Sequence, residues 1–187
     1  MVNSRRAFLR TAGAGLAAGS SVLLTACGGS GAKKLVAGSE SVEVRESDVS
    51  VMNGVLDLEH TAIAAYTAGI PLLGGRALAA GTRFLAQELA HATALQGLIM
   101  GAGGKPNLPR ASYDLGNPRG QADVLSMLST IEGSLVEAYL DAIPKLSPGW
   151  LRAEAAGILA NEGQHIAVLR AARGEPPVPS AFVTASE

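Results

Sequence analysis

Two short stretches hold the residues best suited to chemistry, QELAHATAL (87–95) and NEGQHIAVL (161–169). Each carries a Glu-x-x-His unit, Glu88 with His91 and Glu162 with His165. Three residues turn a helix by about 300° and advance it about 4.5 Å, so each pair shares one helical face. The first pair is set among Ala, Leu and Phe, residues that belong in a core. Upstream of each unit lies a second pattern, a glutamate followed seven residues later by a tyrosine: Glu59 with Tyr66, and Glu132 with Tyr139. Seven residues return a helix to within about 20° of its starting direction, so each Glu and Tyr lie in line. Four carboxylates gathered in an apolar interior repel one another and would mostly protonate if left alone. Two divalent cations balance their charge. Carboxylate oxygen and imidazole nitrogen suit Fe(II) or Mn(II), and the lack of a thiolate among these residues argues against a structural zinc site.

The elements that carry these residues repeat. VLDLEHTAIAAYTAGIP (55–71) aligns without gaps on LSTIEGSLVEAYLDAIP (128–144), and FLAQELAHATAL (84–95) on ILANEGQHIAVL (158–169). The chain therefore reads as a duplicated helical hairpin whose copies are related by an approximate two-fold axis. Four apolar-periodic segments are expected to be helices, over about 48–69, 76–100, 118–143 and 148–173. Asn117-Pro118 and Ser147-Pro148 each predict a capping residue followed by proline at the first helical position. The first and second segments, and the third and fourth, are joined by a handful of residues, so each pair is an antiparallel hairpin. The stretch 101–117 between the hairpins is long enough to run the length of a bundle. The expected fold is all-α, a four-helix up-down-down-up bundle with one long crossover.

Composition agrees with this class. The 187 residues are 48% hydrophobic but only 4% aromatic and 17% charged, and the apolar residues are chiefly Ala and Leu, which favours helices over strands. A net charge of −1 points to neither nucleic acid nor an acidic surface as partner. The N-terminus asks for separate treatment. SRRAFLR (4–10), with Arg5 and Arg6 adjacent, resembles a twin-arginine export signal. The uncharged stretch after it ends in LTAC (24–27), similar to a bacterial lipobox, and Cys27 is the single cysteine. Residues 1–26 are thus expected to be a signal peptide and 27–47 a flexible tether from a lipid on Cys27. Residues 48–173 form the bundle, and 174–187 are an extended strap or a disordered tail. With no other cysteine available, a disulfide, a rubredoxin-type iron site and an iron–sulfur cluster are all excluded.

The duplicated Glu-x6-Tyr and Glu-x-x-His pattern resembles the ferritin-like superfamily, especially bacterial ferritin-like domain proteins exported with twin-arginine signals. The resemblance covers roughly residues 48–173 and rests on Glu59, Glu88, His91, Glu132, Glu162 and His165, with Tyr66 and Tyr139 alongside. It implies a site for two Fe or two Mn ions. Glu88 and Glu162 would bridge them, Glu59 with His91 would complete one, and Glu132 with His165 the other. It also implies that Tyr66 and Tyr139 hydrogen-bond the opposite glutamate.

Oxidation chemistry with O2 or peroxide, of ferroxidase, peroxidase or catalase type, follows from such a centre. The alternative is a non-catalytic metal-binding or stress-protective protein of the cell envelope. Expected partners are metal ions, O2 or peroxide, the twin-arginine translocase and a membrane reached through the lipid. A homodimer is allowed, whereas a closed storage cage fits poorly with a tethered domain. Elsewhere, His60 is expected to face a neighbouring helix or solvent. Asp57, Glu137, Asp141 and Glu154 are read as surface charges, and Trp150 as a packing anchor.

Overall fold

A computed structural model describes residues 43–184. The signal-peptide and lipidation expectations at Arg5, Arg6 and Cys27, most of the expected tether, and residues 185–187 lie outside the described residues. Among the described residues there is no strand, and no helix is long and apolar enough to cross a membrane. Four long helices carry the fold: α1 (Glu46–Gly69), α2 (Gly75–Gly101), α3 (Gln121–Ala142) and α4 (Gly149–Ala172). Short 3₁₀ turns, Ile70–Leu72 and Ile143–Lys145, follow α1 and α3. Each begins with the repeated Ile-Pro pair: proline cannot continue the backbone ladder, and the chain reverses within a few residues.

Cross-helix contacts fix the directions. Tyr66 of α1 meets Glu132 of α3 while Glu59 meets Tyr139, so rising numbers on one helix pair with falling numbers on the other. The same holds between α2 and α4, where His91 approaches Glu162 and Glu88 approaches His165. Both cross pairs are antiparallel, and with two antiparallel hairpins the order is up-down-down-up.

The crossover lies along α1 almost from end to end. Gly104 packs against Val49. Asn53 Nδ2 donates to the Lys105 carbonyl at 3.0 Å, and the Asn107 backbone donates to Asn53 Oδ1 at 2.7 Å. The Asn107 amide also reaches both oxygens of Asp57. The Gln121 side chain accepts from the Gly74 backbone at the far end. Asp57 is therefore partly buried under the crossover rather than a free surface charge, and it helps hold that loop down.

Two helix starts differ from expectation. α3 begins at Gln121 rather than Pro118 because Asn117 takes a left-handed backbone (φ 52°), which interrupts a helix. The Asp123 carboxylate then accepts the Arg119 N–H at 3.0 Å. At α4, Pro148 is the residue before the first turn (ψ 133°), not inside it. The Ser147 backbone is instead bound by the Asp48 carboxylate at 2.8 Å. Asp48 also accepts the Arg45 N–H at 2.8 Å, so one buried carboxylate ties the beginnings of α1 and α4 together. The bundle thus starts at Glu46, inside what was expected to be tether. Trp150 is 49% exposed and no anchor; its neighbour Leu151 takes the core position.

Apolar packing comes in two blocks. One includes Met52, Leu56, Leu95, Ile99, Leu135 and Leu151; the other includes Phe84, Val124, Leu125, Leu128 and Leu169. On all four helices the chemically interesting residues lie between the blocks. Gly69, buried at the end of α1, permits a close approach to α3: a Cβ there would come within 2.6 Å of Val124.

Candidate metal centre

Glu59, Glu88, Glu132, Glu162 and His165 are fully buried between the apolar blocks, and the His91 side chain is 11% exposed. Helical spacing aims each Glu-x-x-His pair inward from α2 and α4, and α1 and α3 add one carboxylate each. The side chains form two groups whose nitrogen and oxygen atoms lie within 4.8 Å of one another: Glu59, Glu88, His91 and Glu162, and Glu88, Glu132, Glu162 and His165. Glu88 and Glu162 belong to both. All six residues singled out from the sequence therefore meet at one place.

The geometry suits cations better than mutual hydrogen bonding. His91 Nδ1 lies 2.8 Å from Glu162, 3.6 Å from Glu88 and 3.7 Å from Glu59. His165 Nδ1 lies 3.0 Å from both Glu88 and Glu162, and 3.3 Å from Glu132. These approaches lack hydrogen-bond direction. Both oxygens of Glu88 and of Glu162, one oxygen each of Glu59 and Glu132, and Nδ1 of both histidines remain buried without a hydrogen-bond partner. Buried polar atoms are nearly always satisfied, so lone pairs converging in this number mark a place built for something else. The donor set, carboxylate with imidazole, fits divalent iron or manganese.

The remaining oxygens are held from outside the cluster. Tyr66 donates to Glu132 Oε1, and Tyr139 donates to Glu59 Oε1. Each tyrosine crosses to the other hairpin, fixing the rotamer of a carboxylate it does not share a helix with. On α2, Gln87 Oε1 lies 3.0 Å from His165 Nε2, which leaves Nδ1 facing the cluster. Phe84 stacks on the His165 ring, with centroids 4.0 Å apart.

The side chains alone can balance their charges. Burial, partly opposed by His91, pushes Glu59 up to about 8. Burial, partly opposed by His165, does the same for Glu132. Burial also acts on Glu162, but His165 and His91 outweigh it and bring that carboxyl down to about 2. Glu88 is likewise lowered against burial by His165 and His91. Burial opposes charge on the imidazoles too; the carboxylates around them nevertheless hold His91 up at about 12 and His165 at about 11. Burial, then the facing glutamates, raises both tyrosines, so their hydroxyls stay protonated donors. At neutral pH two carboxylates, two carboxylic acids and two imidazoliums sum to zero.

A cleft of about 350 Å³ between α2 and α4 reaches this centre, lined by Arg83, Phe84, Gln87, Asn161 and Gln164 with His165 at its base. No residue pattern marks the cleft, because it depends on how the two helices are spaced. His60 borders the neighbouring helix, with Leu89 and Ala92 of α2 lining the same space. His60 is 5% exposed, and neither ring nitrogen has a partner. Burial, against a weaker pull from Asp57, lowers its pKa. Glu137, Asp141 and Glu154 are exposed.

A four-helix bundle with one crossover and six carboxylate and imidazole side chains gathered in its interior at mid-height defines a class of helical protein whose interior is arranged around a polar centre. Residues 47–175 match the ferritin-like domain family, and the chain belongs to that family. Among solved structures, a conserved hypothetical protein from Mycobacterium tuberculosis is similar, with a TM-score of 0.66 and 18% identity, over 73% of this chain and 96% of that one. A ferritin-like, diiron-carboxylate protein from Bacillus anthracis matches with a TM-score of 0.61 and 18% identity, over 67% and 94%. Among curated proteins, none matches the chain.

Proposed function

We propose that this protein is an exported, lipid-anchored ferritin-like protein that holds two iron or two manganese ions and carries out redox chemistry with O2 or peroxide. The observation that carries the metal reading is the pair of overlapping ligand groups, in which eight buried N and O atoms have no hydrogen-bond partner. Glu88 and Glu162, common to both groups, would bridge the ions. Glu59 with His91 and Glu132 with His165 would complete them. The B. anthracis structure, titled diiron-carboxylate, supports a two-ion reading. When bound, such a pair of ions would supply redox equivalents to a small reactant.

The protein's own residues do the rest. Tyr66 and Tyr139 hold the outer carboxylate oxygens, so Glu132 and Glu59 present one free oxygen each. Gln87 and Phe84 fix the His165 ring. The apolar blocks on either side keep bulk water from the carboxylates, and the α2–α4 cleft leaves one route for a small reactant. Arg5, Arg6 and Cys27 would place the bundle outside the cytoplasm on a lipid. Because the twin-arginine route carries folded proteins, the site would be filled before export.

Elemental analysis of the purified protein, together with O2 or peroxide consumption after loading with Fe or Mn, tests the reading. Metal binding and turnover that vanish in Glu88→Ala support it; inactivity with both metals sinks the redox part. One observation favours a second reading, a non-catalytic envelope protein. The imidazoles lie within 3.0 Å of Glu88 and Glu162, so the cluster can neutralise itself without an ion. Purification without stoichiometric metal, and a melting temperature unchanged by added Fe or Mn, would select that reading.

A further inference from the structure

A second polar feature lies behind the ligand helices. His60 is on the outer flank of α1, one residue from Glu59, and lines a cavity of about 300 Å³ between α1 and α2. Pro109 and Tyr113 of the crossover help enclose it, and Ile63 and Leu89 supply apolar wall. Both ring nitrogens of His60 are buried without a partner. Nδ1 and Nε2 of an imidazole offer one donor and one acceptor between them, and a buried site that leaves both unused is waiting for a complementary group. Three more polar groups line the same space: the Thr93 hydroxyl, already donating to the Leu89 carbonyl at 2.7 Å, the Gln96 amide, and the Tyr113 hydroxyl, which accepts from the Arg110 N–H at 2.9 Å and keeps its own proton to donate. No Asp, Glu, Lys or Arg lines it.

The internal duplication provides a control. Aligning the hairpins places His60 on Gly133, Ala64 on Glu137 and Gln96 on Arg170. The second hairpin presents its Glu132 and His165 to the centre without an imidazole at the matching position. That flank is occupied differently: Val183 of the C-terminal segment packs over Gly163. His60 is thus not needed to build a ligand hairpin, and the cavity is a feature of the first hairpin and its crossover.

We propose that this cavity binds an uncharged, hydroxyl-bearing aromatic molecule of one or two rings. Its hydroxyl bonds to His60, and Gln96 or Tyr113 meets a second polar group. The absence of charged lining selects a neutral ligand, and the volume is at the small end of the roughly 300–1,000 Å³ range of small-molecule sites. The flat faces of Pro109 and Tyr113 and the aliphatic walls suit a planar ring. A bound molecule would lie directly behind the backbone that carries Glu59, Glu88 and His91.

The test uses the full chain without added metal and hydroquinone as probe, with phenol and benzene for comparison. Binding is followed by calorimetry and by the ring resonances of His60. Saturable binding of hydroquinone that shifts those resonances is expected, with benzene weaker by roughly tenfold or more because it leaves the polar groups unpaired. His60→Leu should weaken hydroquinone by about the same factor with the melting curve preserved. If that variant fails to fold, Gln96→Ala and the wild-type resonance shifts decide. Equal binding of benzene, unchanged affinity in a folded His60→Leu protein, or no saturable shift at His60 would each overturn the proposal.

Discussion

The two hairpins carry the same ligands in different surroundings. On the second-hairpin side of the centre, His165 is fully buried, stacked on Phe84, bonded to Gln87 and placed at the base of the α2–α4 cleft. On the first-hairpin side, the His91 side chain is 11% exposed. The duplication puts Ile158 where Phe84 stands and Gly157 where Arg83 stands. Symmetry was retained for the atoms that face the centre and lost for those behind them. A metal site fixes the inner set through ligand number and geometry, whereas the outer flanks answer to access, packing and whichever loop crosses them.

The largest expected effect comes from the residues that both halves share. Replacing Glu88 and Glu162 together by alanine should take the metal content from about two ions per chain to nearly none, measured by elemental analysis. Removing His91 or His165 alone should cost one ion and leave the other. Loss of both ions in either single variant would show that the halves fill as one unit.

pH acts on both halves in the same direction. Glu59 and Glu132 are raised from ordinary carboxylate values to about 8, and the histidines to about 12 and 11. Each of these groups binds its proton more tightly folded than unfolded. Their contribution to metal-free stability is therefore complete at low pH and is lost as pH rises, from about 4.5 for the acids and about 6.5 for the imidazoles. Glu162, lowered to about 2, works oppositely: its contribution is present above the unfolded value and lost as pH falls toward 2. The metal-free protein should be most stable in mildly acidic solution. Metal binding displaces those same protons, so it strengthens as pH rises. The gap between loaded and metal-free melting temperatures should widen from pH 6 to pH 8; a constant gap would show that these protons are not exchanged for metal.

The glutamine at the cleft sharpens the difference between the halves. Gln87→Ala should weaken the ion on the His165 side roughly tenfold, the lower end of what outer hydrogen-bond partners contribute. Asn161 occupies the matching position in the second hairpin, but no hydrogen bond from it to His91 is seen among the described residues. Asn161→Ala should accordingly leave both affinities unchanged. Competition titration against a chelator separates the two results.

Much of this was legible in the sequence because helix periodicity ties spacing to facing. Glu88 with His91 and Glu162 with His165 could share a face only as helices, and the repeat made chance a poor explanation. The cross-bundle partnering of Tyr66 and Tyr139 came from family resemblance, and the hydrogen bonds agree with it. The features that residue spacing does not carry depend on contacts between distant segments. The start of α3 shifted because Asn117 adopts a left-handed backbone, which nothing in Asn-Pro requires. Asp57 reads as an ordinary surface charge until the crossover rests on it, and no residue pattern ties Asp48 to the start of α4. His60, only 100° from Glu59 around the helix, could not be placed before the path of the crossover was known.

The smallest effect tests whether the halves are energetically alike. Tyr66→Phe and Tyr139→Phe each remove one hydroxyl and leave a buried carboxyl oxygen without its donor, at a cost of about 1–2 kcal/mol in the metal-free protein. Neither should change the metal content. If the duplication preserved the energetics as well as the geometry, the two shifts in urea midpoint will agree. Tyr66 differs in one respect: Phe84 meets it edge-on, with ring centroids 6.1 Å apart, and also stacks on His165. A phenylalanine at 66 keeps that aromatic contact, so its loss should remain a pure hydrogen-bond effect. A Tyr66→Phe shift well beyond that of Tyr139→Phe would mean that the Glu132 carboxyl moves when released and carries His165 and Phe84 with it, making the cleft side the more tightly coupled half.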